Sequence, residues 1–206
     1  MREVKLIIFD FDGVLSDSLI VHLKFLRSVF KLFTLPKASN GLIDNLIKKL
    51  MRISSMRIPK NILKKIIDKY NSGFIKKYSA KMFKGTDKTL KELKDLGFVL
   101  AIVSFNTLAN IKRILGPYYN CFKYVLTLDN FHSSKVEKIK EILLKESLFP
   151  EQTIFVGDMK ADYRAARRAK VAFVGANYGW ENFSRKESFP VFETIKGLSD
   201  FLLSLK

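Results

Sequence analysis

Two pairs of aspartates have the spacing and the setting that suit a chemical role. Asp10 and Asp12 follow a short apolar run near the N-terminus, and Asp158 and Asp162 follow another run late in the chain. Side chains two residues apart on an extended backbone point the same way, so Asp10 and Asp12 face one side while Phe11 faces the core. Carboxylates held this close repel each other unless a cation or a shared proton intervenes. One such pair is a weak signal, because short acidic turns are common, and the second pair strengthens it.

Short apolar runs predict the strands that carry these acids. Five runs are typical of buried parallel strands: residues 4–9, 98–103, 124–128, 153–156 and 171–174. Four segments have helical spacing: residues 86–96, 108–115, 134–144 and 161–169. The alternation predicts an α/β fold, a doubly wound parallel sheet with helices on both faces. Functional residues of such sheets lie at the carboxyl ends of the strands, so both acidic pairs are expected at one edge.

Four carboxylates at one edge would form an all-oxygen site, which suits Mg²⁺ and suits zinc poorly. Helix N-capping by Asp158 or Asp162 explains one of these acids but not four at matching strand ends. Ser104 ends the second predicted strand and Lys135 lies beyond the third. Taken singly, they suit a turn residue and a solvated lysine; together with the acids, they predict a hydroxyl and an ammonium that bind phosphoryl oxygens.

A basic segment over residues 16–84 interrupts the alternation. It holds 16 basic and 3 acidic residues, so it carries +13 of the net charge of +17. Its apolar residues follow helical spacing, which predicts about three inserted amphipathic helices. We therefore expect residues 1–15 and 85–206 to form the core and residues 16–84 a helical cap. Such a charge attracts phosphate esters, nucleic acid or acidic surfaces, although a solvated lysine-rich helix face explains it equally well.

Composition excludes several classes of protein. With 206 residues and 48% hydrophobic content, the chain can bury a substantial core. The single cysteine, Cys121, excludes a disulfide framework and a cysteine zinc cluster, and it suits a reducing compartment. No uncharged run is long and apolar enough to cross a bilayer, and Asp10 interrupts the apolar N-terminus that a signal peptide would need. We expect a soluble cytoplasmic protein with no membrane partner, and the oligomeric state stays open.

The same residues resemble the motifs of the haloacid dehalogenase-like (HAD) superfamily of phosphohydrolases. Residues 10–18 resemble its first motif, residues 103–106 its second and residues 156–162 its fourth. Residues 165–167 and 178–179 are similar to the phosphoglycolate phosphatase-like branch, which carries a helical cap where the basic segment lies. The resemblance implies a Rossmann-like HAD core.

The resemblance also implies roles for the acids. Asp10 would attack phosphorus and form an aspartyl-phosphate, and Asp12 would protonate the leaving oxygen and then activate water. Mg²⁺ would be held by Asp10, the Asp12 backbone carbonyl and Asp158, with Asp162 in support. Asp12 also argues against a dehalogenase, whose leaving halide needs no proton.

The phosphoryl oxygens would, by the same resemblance, be held by Ser104, Lys135 and the backbone N–H of Asn106. The branch usually has Gly-Lys-Pro around its lysine, whereas this chain has Ser-Ser-Lys-Val over residues 133–136. Lys138 is therefore the alternative site lysine.

Three functions follow from these patterns. The first is a Mg²⁺-dependent phosphatase that acts on a small phosphorylated metabolite, with the basic cap closing over it. The second is the same chemistry at the end of a nucleic acid, which the basic cap suggests. The third is a non-catalytic phosphate-binding protein on the same fold, against which the complete acidic set argues. Phosphomutase activity uses the same two aspartates and stays open.

Overall fold

The computed structural model describes residues 3–22, 24, 80–128, 134–184 and 186–206. The chain divides into two compact units, one formed by Met1–Asp17 and Lys81–Lys206 and the other by Ser18–Ala80. The predicted cap helices over residues 16–84 fall almost wholly outside the described residues.

A parallel sheet of six strands lies at the centre of the first unit. The strands of this unit, in chain order and including two outside the sheet, are β1 Leu6–Phe9, β2 Ser16–Asp17, β3 Lys81–Met82, β4 Val99–Val103, β5 Tyr124–Leu126, β6 Thr153–Gly157, β7 Ala172–Ala176 and β8 Val191–Phe192. Six of them form the sheet in the order β5-β4-β1-β6-β7-β8, and β2 and β3 form a separate antiparallel pair. Strand β1 is flanked by β4 and β6, both parallel to it.

Helices cover both faces of this sheet. They are α1 Thr86–Asp95, α2 Leu108–Leu115, α3 Lys135–Glu146, α4 Lys160–Ala169 and α5 Ile195–Leu203, with 3₁₀ turns at Gly116–Cys121 and Pro150–Gln152. Side chains alternate along β1, so Ile7 and Phe9 pack in one core layer with α1, α2 and α5, while Leu6 and Ile8 pack in the other with α3 and α4. The predicted α/β fold with a doubly wound parallel sheet is confirmed.

Two parts of the described fold were not predicted. Strands β2, β3 and β8 have two residues each, which is too short for a hydrophobic pattern to indicate a strand. Helix α5 begins after Thr194, whose side chain accepts a hydrogen bond from the Gly197 N–H. None of the helices among the described residues is long and apolar enough to cross a bilayer.

Candidate active site

The carboxyl ends of β1 and β6 bring the two acidic pairs together. The strands are in register with Phe9 opposite Val156, and the Asp10 N–H donates to the Val156 carbonyl at 2.8 Å. Asp10 and Asp158 therefore leave adjacent strands side by side. Asp162 joins them from the first turn of α4, and the three buried residues each offer a carboxylate oxygen within 4.8 Å of the others.

Gly157 makes the approach of Asp162 possible. A Cβ at position 157 would lie 2.4 Å from the Asp162 Cβ, so a larger residue would push the first turn of α4 away from β6. Asp162 also binds its own helix, because its Oδ2 accepts the Met159 N–H at 3.1 Å. Helix capping and site formation, which were alternatives from the sequence, thus both occur at Asp162.

Lys135 bridges two of the three carboxylates. It is the first residue of α3, which Ser134 caps, and its Nζ lies 2.7 Å from Asp10 Oδ2 and 2.6 Å from Asp162 Oδ1. Burial alone would lower the pKa of Lys135, but the negative charges of Asp10 and Asp162 outweigh it and raise the pKa. Lys135 therefore stays charged and neutralises one of the three acids.

The remaining negative charge is costly to bury. Burial raises the pKa of Asp10 to about 7; the Lys135 charge opposes this rise and the Asp162 charge adds to it. Burial also raises the pKa of Asp158 well above its ordinary value, reinforced by the charges of Asp162 and Asp10. Three carboxylates and one ammonium leave a formal charge of −2, which a divalent cation would balance.

Asp158 has the geometry of a cation ligand. Its Oδ2 accepts the Trp180 N–H at 2.7 Å, while its buried Oδ1 has no hydrogen-bond partner among the described residues. Gly13 and Gly179 both lie against this carboxylate and leave room for it. A Cβ at Gly13 would lie 2.0 Å from Oδ2, and a Cβ at Gly179 would lie 2.5 Å from Oδ2. An all-oxygen donor set with an unsatisfied buried carboxylate oxygen fits a hard cation such as Mg²⁺.

Asp12 lies on the loop after β1 and faces the loop after β4. Both of its carboxylate oxygens accept hydrogen bonds from the side-chain amide of Asn106, at 3.0 and 2.8 Å. Ser104 is buried at the end of β4, and its Oγ accepts the Asn106 N–H at 3.0 Å. The N–H that we expected to bind a phosphoryl oxygen thus contacts Ser104, and the contact between the Asn106 side chain and Asp12 was not predicted.

The two candidate lysines occupy different positions. Lys135 contacts the carboxylates, whereas the buried Lys138, one turn further along α3, donates to the Thr127 carbonyl at 2.5 Å and to the Ser104 carbonyl at 3.4 Å. Lys138 thereby joins the loops that follow β4 and β5.

Trp180 is a further residue of the site, where the sequence left a place at the site entrance and core packing as alternatives for its side chain, and it contributes through its backbone. Its backbone N–H holds Asp158, and neighbouring Tyr178 donates from its hydroxyl to the Val14 carbonyl at 3.1 Å. The Tyr-Gly pair at 178–179 was the sequence signal that this loop belongs to the site. The sequence could not indicate the bond from Trp180, because a backbone N–H is present in almost every residue type.

Comparison with known proteins identifies relatives over most of the chain. A family model described as haloacid dehalogenase-like hydrolase matches residues 7–176. A curated phosphoglycolate phosphatase from Pasteurella multocida is 29% identical, with 92% of this chain and 93% of that protein covered. A phosphoglycolate phosphatase from Haemophilus influenzae is 28% identical, with 97% and 99% covered.

Solved structures share the fold. A predicted phosphatase from Clostridium acetobutylicum has a TM-score of 0.80 and 19% identity, with 98% of this chain and 100% of that chain covered. A predicted phosphoglycolate phosphatase from Haemophilus somnus has a TM-score of 0.75 and 23% identity, with both chains covered in full.

Proposed function

Because the chain belongs to the haloacid dehalogenase-like hydrolase family, we propose that it is a Mg²⁺-dependent phosphatase that works through an aspartyl-phosphate on Asp10. The predicted family and enzyme class, a HAD-like phosphoric monoester hydrolase, are confirmed by the family match and by the curated phosphatase relatives. The observation that carries the mechanism is the placement of buried Asp10 among Lys135, Asp158 and Asp162.

Asp10 is the proposed nucleophile. Its Oδ1 accepts the Phe11 N–H at 2.8 Å and its Oδ2 is paired with Lys135, so the carboxylate is held in one orientation. Attack by a carboxylate oxygen forms a bond to phosphorus, and the bond from phosphorus to the ester oxygen breaks. Lys135 offers a positive charge to the phosphoryl oxygens at this point, and the Ser104 hydroxyl offers a hydrogen bond.

Asp12 is the proposed acid and base. The departing ester oxygen takes a proton from the Asp12 carboxyl group and leaves as an alcohol. Asp12 then takes a proton from a water molecule, whose oxygen attacks phosphorus. The bond between phosphorus and Asp10 breaks, which releases phosphate and restores the free carboxylate.

Mg²⁺ would be held by Asp10, Asp158 and the Asp12 backbone carbonyl, with Asp162 in support. When bound, it supplies positive charge that stabilises the negative charge of the phosphoryl group. The formal charge of −2 on the site and the unsatisfied Oδ1 of Asp158 support this assignment.

We propose a small phosphorylated metabolite as the substrate, with 2-phosphoglycolate the first to test because the curated relatives carry the name phosphoglycolate phosphatase. The +13 charge of residues 16–84 supports an anionic ligand, and in our proposal this segment is the cap. The same charge favours a second candidate, a phosphorylated end of DNA or RNA. The single cysteine supports a cytoplasmic location.

The test compares wild type with Asp10→Asn on p-nitrophenyl phosphate, 2-phosphoglycolate and a 5′-phosphorylated oligonucleotide, each with Mg²⁺ and with chelator. Asp200→Asn is the matched control, because Asp200 is an exposed aspartate paired with Lys196 on α5. We expect turnover that needs Mg²⁺, is lost at least about 10³-fold in Asp10→Asn and is unchanged in Asp200→Asn. Comparable turnover by wild type and Asp10→Asn would contradict the proposal.

A further inference from the structure

We propose that Asn106 is a positioning residue that holds the Asp12 carboxylate in place for proton transfer to the leaving group. This inference rests on the proposed function, because it concerns how Asp12 performs the role assigned to it there. The carrying observation is that one side-chain amide contacts both carboxylate oxygens, at 3.0 and 2.8 Å.

The orientation of the Asn106 amide is fixed by its other contacts. Its Oδ1 accepts the Thr107 N–H at 2.7 Å and the Asn110 side-chain amide at 3.0 Å. Because an oxygen is needed to accept those two donors, the nitrogen must face Asp12. Asn106 therefore presents donors to the carboxylate and could not present its oxygen there without losing two hydrogen bonds.

Asn110 is in turn anchored on α2. It is 2% exposed, and its Oδ1 accepts a hydrogen bond from Arg113 Nη2 at 2.8 Å. Thr107 caps the same helix through its side chain, which accepts the Asn110 N–H at 3.4 Å. The contacts thus run from Asp12 through Asn106 and Asn110 to Arg113. Asn106 and Asn110, the two amides at the centre of this network, are buried, so α2 supports Asp12 through side chains that pack inside the protein.

Support of this kind matters because Asp12 lies on a loop and is only half-buried. Asp10 is oriented by Lys135 and by the Phe11 N–H, and the two hydrogen bonds from Asn106 give Asp12 a fixed orientation of its own. Displacement of a reacting group by about 1 Å can cost about 10²-fold in rate. The Asn106 side chain acts through its contact with Asp12, so in this proposal it is a positioning residue and not a catalytic one.

The proposal makes a distinctive claim about leaving groups. A general acid contributes about 10²–10⁴-fold when the leaving oxygen is basic, and it contributes little when the leaving group departs without a proton. Loss of Asp12 positioning should therefore slow cleavage of phenyl phosphate far more than cleavage of 2,4-dinitrophenyl phosphate. A purely structural defect, or damage to phosphate binding by the Asn106 backbone, would slow both esters alike.

The experiment measures kcat/KM of wild type, Asn106→Ala and Asn110→Ala on these two aryl phosphates with Mg²⁺. This parameter reports steps up to the first irreversible one, here the loss of the phenol, so it isolates the role of Asp12 as an acid. Thr89→Val is the control: Thr89 is 7% exposed, and its hydroxyl bonds to the Gly85 carbonyl and to Ser199 on α5. Thermal unfolding verifies that each variant folds.

For Asn106→Ala we expect a loss of about 10²-fold on phenyl phosphate and less than about 3-fold on 2,4-dinitrophenyl phosphate. Asn110→Ala should show the same selectivity with a smaller loss, and it tests the inference even if Asn106→Ala does not fold. Equal losses on both esters in the folded variants would overturn the inference and leave the phosphatase function standing. A wild type that cleaves neither these esters nor 2-phosphoglycolate would overturn the proposed function, and the inference with it.

Discussion

Substitution of Gly179 by alanine should disable the site through a close contact and not through backbone strain. The added Cβ would lie 2.4 Å from the Asp158 Cβ and 2.5 Å from the Gly13 carbonyl oxygen. Ordinary contacts of a Cβ begin near 3.4 Å, so the groups must separate by about 1 Å. The Gly13 carbonyl belongs to the backbone of the loop after β1, and Asp158 therefore has to move.

The magnitude follows from that displacement. Overpacking of this kind costs about 1–3 kcal/mol of stability. A shift of about 1 Å in a group that orients the reaction costs about 10²-fold in rate. Gly97→Ala is the matched control, because its φ of +83° strains an alanine while, beyond the two flanking residues, no atom of the described part of the chain lies within 4 Å of the added Cβ. The left-handed conformation should cost this control about 1–2 kcal/mol and leave the site intact.

The assay pairs thermal unfolding with kcat/KM on p-nitrophenyl phosphate. Each kcal/mol lost lowers the melting temperature by about 2–4 °C in a protein of this size, so both variants should melt a few degrees earlier. Activity should fall about 100-fold in Gly179→Ala and stay within about twofold of wild type in Gly97→Ala. A folded Gly179→Ala with near wild-type activity would refute the argument that the added Cβ displaces Asp158 from its place in the site.

Three further outcomes are expected. Lys135→Met should lower kcat/KM at least about 10²-fold in steady-state assays because it removes the charge beside Asp10, and retained activity would contradict the site assignment. Mg²⁺ at 100 times its dissociation constant should stabilise the protein by about 2.7 kcal/mol in thermal unfolding, and equal stabilisation of Asp158→Asn would argue against Asp158 as a ligand. Burial raises the pKa of the Cys121 thiol, so iodoacetamide should alkylate Cys121 at pH 7 more slowly than it alkylates a cysteine peptide. Mass spectrometry follows both reactions, and equal rates would contradict the raised pKa.

The convergence of the acids could be predicted because it follows from local patterns. Asp10 and Asp158 each come directly after an apolar run, and parallel strands end at one edge of the sheet. The presence of Lys135 in the site could be predicted for the same reason, because Lys135 is the first residue of α3. The helical cap over residues 16–84 stays a prediction, as do the catalytic roles of the site residues.

Contacts between loops could not be predicted in the same way. Asn106 and Asp12 are 94 residues apart, and their contact depends on the conformations of two turns that no periodic pattern encodes. The bond from the Trp180 N–H to Asp158 uses the backbone, so the residue type carries no information about it. Strand β8 is a two-residue element whose existence depends on pairing with β7.

The central position of β1 also governs when the site can form during protein synthesis. Asp10 is among the first residues to leave the ribosome, yet β1 pairs with β6, and Asp158 needs the N–H of Trp180. About 170 further residues must be translated, which takes roughly 10–30 s at about 5–20 residues per second. Until residues 135–157 have been translated, the nascent chain has strand β1 without its β6 neighbour and Asp10 without Lys135. The proposed metal site would therefore form only after Trp180 has been translated, and binding of the ion would report that β1 has paired with β6.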